Sequence, residues 1–340
     1  MRRSFVAGLC GLALGALAVA GGTAIRASSR EKTAAGADTP QPAADSPRAD
    51  SNAAPPEPGG GHAVEVDMQN VDLGLTGGIV MHVQRLRGRF RPTQASSPPY
   101  LDDNDSYSVE IDGGRVSLDM DSLDRLLNQR VLGKERSNVK KVAARVHEGR
   151  LEQKGVMHKG LDLPFKTKCE VSATDDGRIR MHTKSVKILG FLPVKSIMKL
   201  FSIEMDDMVK VKPGHGAVVQ DNDIILDPGQ MLPPPHMQGR VKRVWLEGNR
   251  VVQDFGPVSP LTPAPIGRNH IYWRGGDLRF GKLTMDGTDL ELIDLDEGDA
   301  FDFSVDHWSE MLVGGYSKNT AQGGLKTYLP DYNDLQAKRR

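Results

Sequence analysis

Apolar and polar residues alternate along much of the chain from about residue 64 onward. In the clearest run, Leu163, Phe165, Thr167, Cys169 and Val171 alternate with mostly charged or polar residues. A period of two indicates a β-strand with one covered face and one face in water. Similar runs are separated by turn signals such as Gly113-Gly114, Gly-Asn and Asp-Asp-Gly. They predict about ten to thirteen strands joined mostly by tight turns.

Helical spacing appears on both sides of this strand-rich stretch. One helix is predicted over Ser122–Leu132, with Asp121 as its N-cap, and a second begins at Pro193. A third short helix is predicted after Ser304 and ends at the Gly314-Gly315 pair. The apolar faces of the first two contain Leu123, Leu126, Leu127 and Val131, and Val194, Ile197, Met198 and Phe201.

The apolar alternation slips by one residue within the strand that follows Gly177. Ile179, Met181 and Thr183 share one phase, whereas Val186 and Ile188 follow the other. Such a slip predicts a bulge or bend near Ser185, and bends let a sheet curl. We therefore expect an α+β fold: a mainly antiparallel, strongly curved sheet with two or three short amphipathic helices.

Composition divides the chain into four parts. Residues 1–25 combine Arg2 and Arg3 with a long apolar run, as in a cleaved signal peptide or a retained membrane anchor. Residues 26–62 are rich in Ala, Pro, Asp, Ser and Gly and should form a disordered linker. Residues 63–256 should form a β-rich domain. Residues 257–340 should add a C-terminal β extension and an irregular tail, packed on the same domain. This organisation predicts a periplasmic or otherwise extracytoplasmic protein, with tethering to the inner membrane if the N-terminal segment is kept.

Charge and motifs exclude several classes of function. The 44 basic and 44 acidic residues balance, so no nucleic-acid partner is expected. No HExxH, GxSxG, P-loop or dinucleotide fingerprint occurs, so we expect no enzyme, no cofactor and no metal. Two charged stretches keep alternatives open. The acidic residues Asp294, Asp296, Glu297 and Asp299 are either solvated or hold calcium, and the basic face around Arg180 is either solvated or meets anionic lipid head groups.

The order of these patterns over residues 116–256 resembles the LmeA-like phospholipid-binding family of bacterial cell-envelope proteins. In chain order, the matching stretches are SLDRLLN, HEGRLEQKG, LPFKTKCEVSATDDGRIRMHTKSVKILG and LPVKSIMKLF. The resemblance implies a sheet wrapped on a helix, as in tubular lipid-binding domains, with an apolar tunnel for acyl chains and no catalysis. Residues 268–340 lie outside the resemblance and either cap the tunnel, fill it or leave it open.

We therefore expect a non-enzymatic envelope protein that binds a phospholipid or another acyl-chain lipid in an apolar groove. Two other functions stay open: an envelope scaffold or protein-interaction module with a filled core, and an envelope hydrolase that uses the acidic residues 294–299. The expected lipid-binding residues are Leu126, Leu127, Phe165, Val171, Met181, Ile197, Met198 and Phe201.

Overall fold

The computed structural model describes residues 63–338, with gaps at residues 96, 126–127, 129–138, 159–161, 189–191, 194–216, 221–222, 228–234 and 262–263. All described residues belong to one compact unit. None of the helices in this part of the chain is long and apolar enough to cross a bilayer. The predicted N-terminal targeting segment, linker and second helix lie outside the described residues.

Twenty strands and three short helices form in the described part of the chain. The strands are β1 (Val64–Leu75), β2 (Ile79–Pro92), β3 (Tyr107–Asp119), β4 (Val139–His147), β5 (Arg150–His158), β6 (Asp162–Ala173), β7 (Ile179–Ile188), β8 (Leu192–Pro193), β9 (Ala217–Gln220), β10 (Asp223–Leu226), β11 (His236–Gln238), β12 (Arg243–Glu247), β13 (Arg250–Gly256), β14 (His270–Arg274), β15 (Asp277–Phe280), β16 (Leu283–Asp286), β17 (Asp289–Asp294), β18 (Phe301–Ser304), β19 (Tyr316–Asn319) and β20 (Leu325–Leu329). The helices are α1 (Met120–Arg125), α2 (Trp308–Gly314) and α3 (Tyr332–Lys338).

The expected fold class is confirmed: the chain forms mainly antiparallel, strongly curled sheets with few helices. The larger sheet runs in the order β12-β13-β3-β2-β1-β14-β17-β20-β19, with β11 paired to β3 and β18 paired to β1. The smaller sheet runs in the order β4-β5-β6-β7-β10-β9, with β8 paired to β7. Strands β15 and β16 form a separate hairpin. The strand count exceeds the prediction because many strands have only two to five residues.

The long strands β1, β2 and β3 of the larger sheet bend at neighbouring positions. Strands β1 and β3 also change their pairing partners along their length. Asn70 of β1 has a positive φ of 51° and lies opposite Gln84, the extra residue where β2 shifts register against β3. Before Asn70, β1 pairs with β14, and after it β1 pairs with β18. Strand β3 likewise pairs first with β11 and then with β13. These bulges curl the sheet around its apolar side chains.

Gly113 and Gly114 lie at the bend of β3, and their predicted role as a turn was wrong. They lie inside the continuous strand β3. A Cβ added at Gly114, whose φ is +147°, would come 2.5 Å from the carbonyl oxygen of Arg85 on the neighbouring strand. The glycine therefore allows a close approach of two backbones, which is the other common reason for glycine in a strand.

The predicted bulge near Ser185 is confirmed in the smaller sheet. Lys168 of β6 pairs with Ser185, but the next residue, Cys169, pairs with Thr183, so Lys184 is the extra residue of β7. This shift keeps apolar side chains of both halves of β7 on the covered face.

Helix α1 lies along β4, the edge strand of the smaller sheet, and covers that edge. Its N-cap is Asp119, whose Oδ1 accepts the backbone N–H of Ser122 at 2.6 Å, so the predicted start at Ser122 with Asp121 as cap was two residues late. Asp124 Oδ1 accepts the backbone N–H of Ala144 at 2.6 Å, and Asn128 bonds both backbone groups of Val142. These side chains satisfy the open edge of β4, which protects it from pairing with another chain.

The C-terminal part is more regular than expected. Strand β20 pairs in parallel with β17, and α3 follows it, so the tail predicted to be irregular from Tyr316 is ordered secondary structure. Helix α2 ends at Gly314 as predicted. The N-cap of this helix is His307. The predicted cap, Ser304, is instead the last residue of β18.

Candidate functional site

Three of the expected lipid-binding residues share one face of the smaller sheet. Val171 of β6 pairs directly with Met181 of β7, and Phe165 lies on the same side of β6, six residues earlier. Directly paired residues of neighbouring strands point to the same side of a sheet. Phe165 and Met181 are buried, whereas Val171 is half-buried. From Phe165 to Val171 this face runs about 20 Å along the strand.

The other five expected residues lie outside the described residues. They are Leu126, Leu127, Ile197, Met198 and Phe201. Their role in the lining stays a prediction.

Two buried polar side chains stand at the centre of this apolar face. Gln153 of β5 pairs directly with Thr167 of β6, so both lie on the same side as Phe165. Both residues are fully buried. Among the residues that the structure describes, the amide nitrogen and oxygen of Gln153 and the hydroxyl of Thr167 have no hydrogen-bond partner. The two side chains therefore offer amide donors, an amide acceptor and a hydroxyl, all unused.

The neighbours of this pair are apolar or small. Along their own strands, Gln153 lies between Leu151 and Gly155, and Thr167 lies between Phe165 and Cys169. Across the sheet, the row continues to Ala144 on one side and to Val186 on the other. The described residues around Gln153 and Thr167 therefore offer them no hydrogen-bonding side chain, so a partner must come from elsewhere.

The opposite face of the same strands carries a charged cluster with partners. The fully buried Glu152 accepts a hydrogen bond from Arg145 Nε at 2.6 Å, and Lys166 Nζ lies 2.6 Å from its other oxygen. Burial acts to raise the pKa of Glu152, but the hydrogen bonds from Lys166 and Arg145 outweigh it and hold that pKa below its usual range. Glu152 is therefore a structural anion, which sets it apart from its unpartnered neighbour Gln153.

The interior of the larger sheet is nearly full. Its apolar cavity measures about 70 Å³, less than half of the roughly 150 Å³ that holds one benzene in an engineered cavity. The lining comes from both the N-terminal strands and the C-terminal extension, which contributes Ile271, Trp273, Phe280, Phe303 and Trp308. The C-terminal strands thus fill this part of the interior, and no acyl chain fits there as it stands.

The basic strand face around Arg180 is largely neutralised by carboxylates. Arg180 and His182 both contact Asp223, at 2.8 and 2.6 Å, and Lys184 Nζ lies 2.9 Å from Glu170 Oε2. Arg178 pairs with Asp176, two residues earlier in the turn. This face therefore offers little free positive charge to a lipid surface, which favours the alternative of a solvated face.

The acidic stretch forms a compact carboxylate cluster with a partner that the sequence did not indicate. Oxygens of Asp294, Asp299 and Asp331 lie within 4.8 Å of one another. Burial and the nearby carboxylates raise the pKa of Asp331 to about 7. Backbone N–H groups of Asp296 and Asp302 donate to Asp294 and Asp331. These bonds account for both buried carboxylates: that of Asp294 caps the loop after β17, and that of Asp331 holds the C-terminal segment against β18.

Sequence reasoning missed Gln153 as a candidate. The strand Leu151–His158 is the weaker of the predicted strands, so its covered face was not evident. Thr167 did appear in the alternation, at a position where a β-branched residue on a covered face is ordinary. The signal that could have found the pair is that Gln153 lies opposite Thr167 on the covered face. Reading it requires the pairing register of β5 against β6, which local sequence patterns do not contain.

Comparisons with protein-family models, with curated proteins and with solved structures find no match to this chain. The resemblance to the LmeA-like family therefore stays a prediction.

Proposed function

We propose that this protein is a non-enzymatic binding protein of the cell envelope that holds an amphipathic lipid against the covered face of the smaller sheet. The observation that carries the proposal is the pair Gln153 and Thr167, both fully buried and without hydrogen-bond partners in the described part of the chain. Each buried polar group left unpaired costs about 1–3 kcal/mol, so a fold that keeps two of them side by side needs a reason.

The chemistry of the pair fits the linkage region of a phospholipid. Gln153 Nε2 and the Thr167 hydroxyl donate to an ester carbonyl, and Gln153 Oε1 accepts from a hydroxyl group. The apolar part of the same ligand would lie along Phe165, Val171 and Met181, where each buried CH₂ contributes about 0.8 kcal/mol. The N-terminal targeting pattern and the family resemblance support the same class of ligand and an envelope location.

Native mass spectrometry of the purified full chain, followed by lipid extraction, tests the proposal. We expect the wild type to carry an ester lipid and Gln153→Leu to bind the extracted lipid about tenfold more weakly, because one hydrogen-bonding group is lost. Gln238→Leu makes the same change at an exposed position of β11 and should bind as the wild type does. A wild type that neither carries nor takes up lipid contradicts the proposal, as does equal binding by both variants.

A second candidate function is favoured by the filled interior of the larger sheet. A cavity of about 70 Å³ leaves that half of the molecule as a solid scaffold, which suits a protein-interaction module. Crosslinking in intact cells that recovers one defined envelope protein, from a chain that carries no lipid, would favour this candidate over lipid binding.

A further inference from the structure

The bend of the larger sheet creates an open groove on the face that points away from the apolar core. The groove has a volume of about 1060 Å³. Strands β1, β2, β3, β12 and β13, Lys242 just before β12, and the segment after β13 form it.

The groove carries an excess of positive charge. Five of its lining residues are arginine or lysine, and Asp254 is its single carboxylate. Arg115 and Arg243 share one oxygen of Asp254, at 3.0 and 2.6 Å, so one anion serves two cations. Arg85, Lys242 and Arg268 have no ion pair with any residue that the structure describes.

Arg85 is the most informative of these cations. It is half-buried on β2, next to the bulge at Gln84, and its Nε is buried without a hydrogen-bond partner among the described residues. A guanidinium held in a partly desolvated position without a carboxylate is costly, and an external anion would lower that cost. The other free cations, Lys242 and Arg268, are exposed at the same groove, where concave walls strengthen the positive potential.

We propose that this groove is a second binding site, for a ligand that carries two or more phosphate- or sulfate-type oxyanions. Arginine is suited to such groups because its planar donors bind two oxygens at once. The separated cations favour a ligand with several anionic groups over a single ion. Gln69 and Gln84 add amide groups along the same groove, which can bind hydroxyl or oxyanion oxygens. The site goes beyond the proposed lipid binding and does not rest on it.

Titration calorimetry of the full chain with inorganic tripolyphosphate at low ionic strength tests the site. We expect saturable binding that weakens as salt is added, because exposed charges are screened. Arg85→Gln should weaken binding about tenfold, the effect of losing a charge-assisted hydrogen bond. Arg268→Gln should weaken it several-fold, and its exposed position keeps the fold intact. Lys187→Gln removes the same charge on the smaller sheet and should leave the affinity unchanged.

Absence of tripolyphosphate binding at low salt overturns the proposal, as does an equal loss in Arg85→Gln and Lys187→Gln. Cosedimentation with phosphatidylglycerol vesicles identifies the source of the oxyanion once tripolyphosphate binding is established. Vesicle binding that Arg85→Gln removes assigns it to a lipid head group, and the lack of such binding assigns it to a soluble ligand. Gln153→Leu should keep full tripolyphosphate affinity, which separates this site from the proposed lipid site.

Discussion

At the scale of residues, buried polar side chains differ in whether the fold supplies their partners. Glu291 is fully buried, but its carboxylate accepts the backbone N–H groups of Ile266 and Gly267, at 2.8 and 2.9 Å. Glu152 is equally buried and has Arg145 and Lys166 beside it. Gln153 and Thr167 have no such partners among the residues that the structure describes. The contrast with Glu152 and Glu291 makes this pair a candidate for contact with a ligand.

Replacing Thr167 by valine should separate a ligand-binding role from a structural one. The change removes an unpaired buried hydroxyl at nearly constant volume, so the lipid-free protein should gain about 1 kcal/mol of unfolding free energy. Lipid binding should weaken at the same time. Denaturant unfolding of the delipidated protein and lipid uptake by native mass spectrometry measure the two effects.

Thr183→Val is the matched control for this prediction. Thr183 is also buried on this face, but its hydroxyl lies 3.9 Å from Cys169 Sγ, so a weak contact is lost. We expect no gain of stability from this variant. A gain of the same size in both variants would show that Thr167 has no special role.

At the scale of elements, bulges and glycines decide how the strands curve. In β1 and β2 the buried phase switches at the opposed residues Asn70 and Gln84, and in β7 it switches at Lys184. The covered face therefore stays apolar on both sides of each bend. The same bends place Arg85 and Arg115 at the outer groove, so the curvature and the proposed anion site have one origin.

Gly114→Ala should destabilise the larger sheet strongly. The added Cβ would lie 2.5 Å from the Arg85 carbonyl oxygen, and the φ of +147° is open almost only to glycine. We expect a loss of about 3 kcal/mol of unfolding free energy, measured by urea denaturation. Gly149→Ala, at a hairpin with a φ of +68° and open space around it, should cost only about 1 kcal/mol. Equal losses would show that backbone contact at Gly114 is unimportant.

At the scale of the whole molecule, side chains of both sheets belong to one hydrophobic core. The C-terminal strands complete the larger sheet by pairing with its first strand, as β14 and β18 do with β1. Asp294 Oδ1 accepts the backbone N–H of Asp296 in the loop after β17, and Asp331 Oδ1 accepts the backbone N–H of Asp302 in β18. Protonation of these carboxylates therefore acts on contacts that join the C-terminal strands.

The stability of the protein should fall as pH rises towards neutrality because of Asp331. Its pKa is raised from 3.8 to about 7 by burial and by Asp294, Asp299 and Asp302. The neutral form is favoured in the folded state, so the stabilisation is complete below about pH 3.8 and is lost as pH rises through about 7. Thermal unfolding at pH 5 and pH 8 in chelator-containing buffer should show a smaller difference for Asp331→Asn than for the wild type.

Asp286→Asn provides the comparison for this pH effect. Asp286 is exposed on the separate β15–β16 hairpin, so its removal should leave the difference between the two pH values unchanged. A wild-type difference that persists in Asp331→Asn would contradict the assignment to Asp331.

Local patterns were sufficient for much of the fold and only part of the candidate site. The alternation from Leu163 to Val171 predicted β6, and the phase slip after Thr183 predicted the bulge in β7. Both predictions depend only on the period of apolar and polar side chains along the strand. The glycines at 113 and 114 were mistaken for a turn, because a turn and a close approach of strands require the same residue. Asp331 joined the acidic cluster through strand pairing more than 30 residues away, which no local pattern contains.

The sequence by itself determined the fold class and one covered face with Phe165, Val171 and Met181, because the period of two defines which residues avoid water. Only the tertiary structure decided that Gln153 and Thr167 meet on that face without partners, because the register of β5 against β6 places them together. It alone decided that the C-terminal strands fill the larger sheet. It also decided which cations find carboxylates and which, like Arg85, remain available to a ligand.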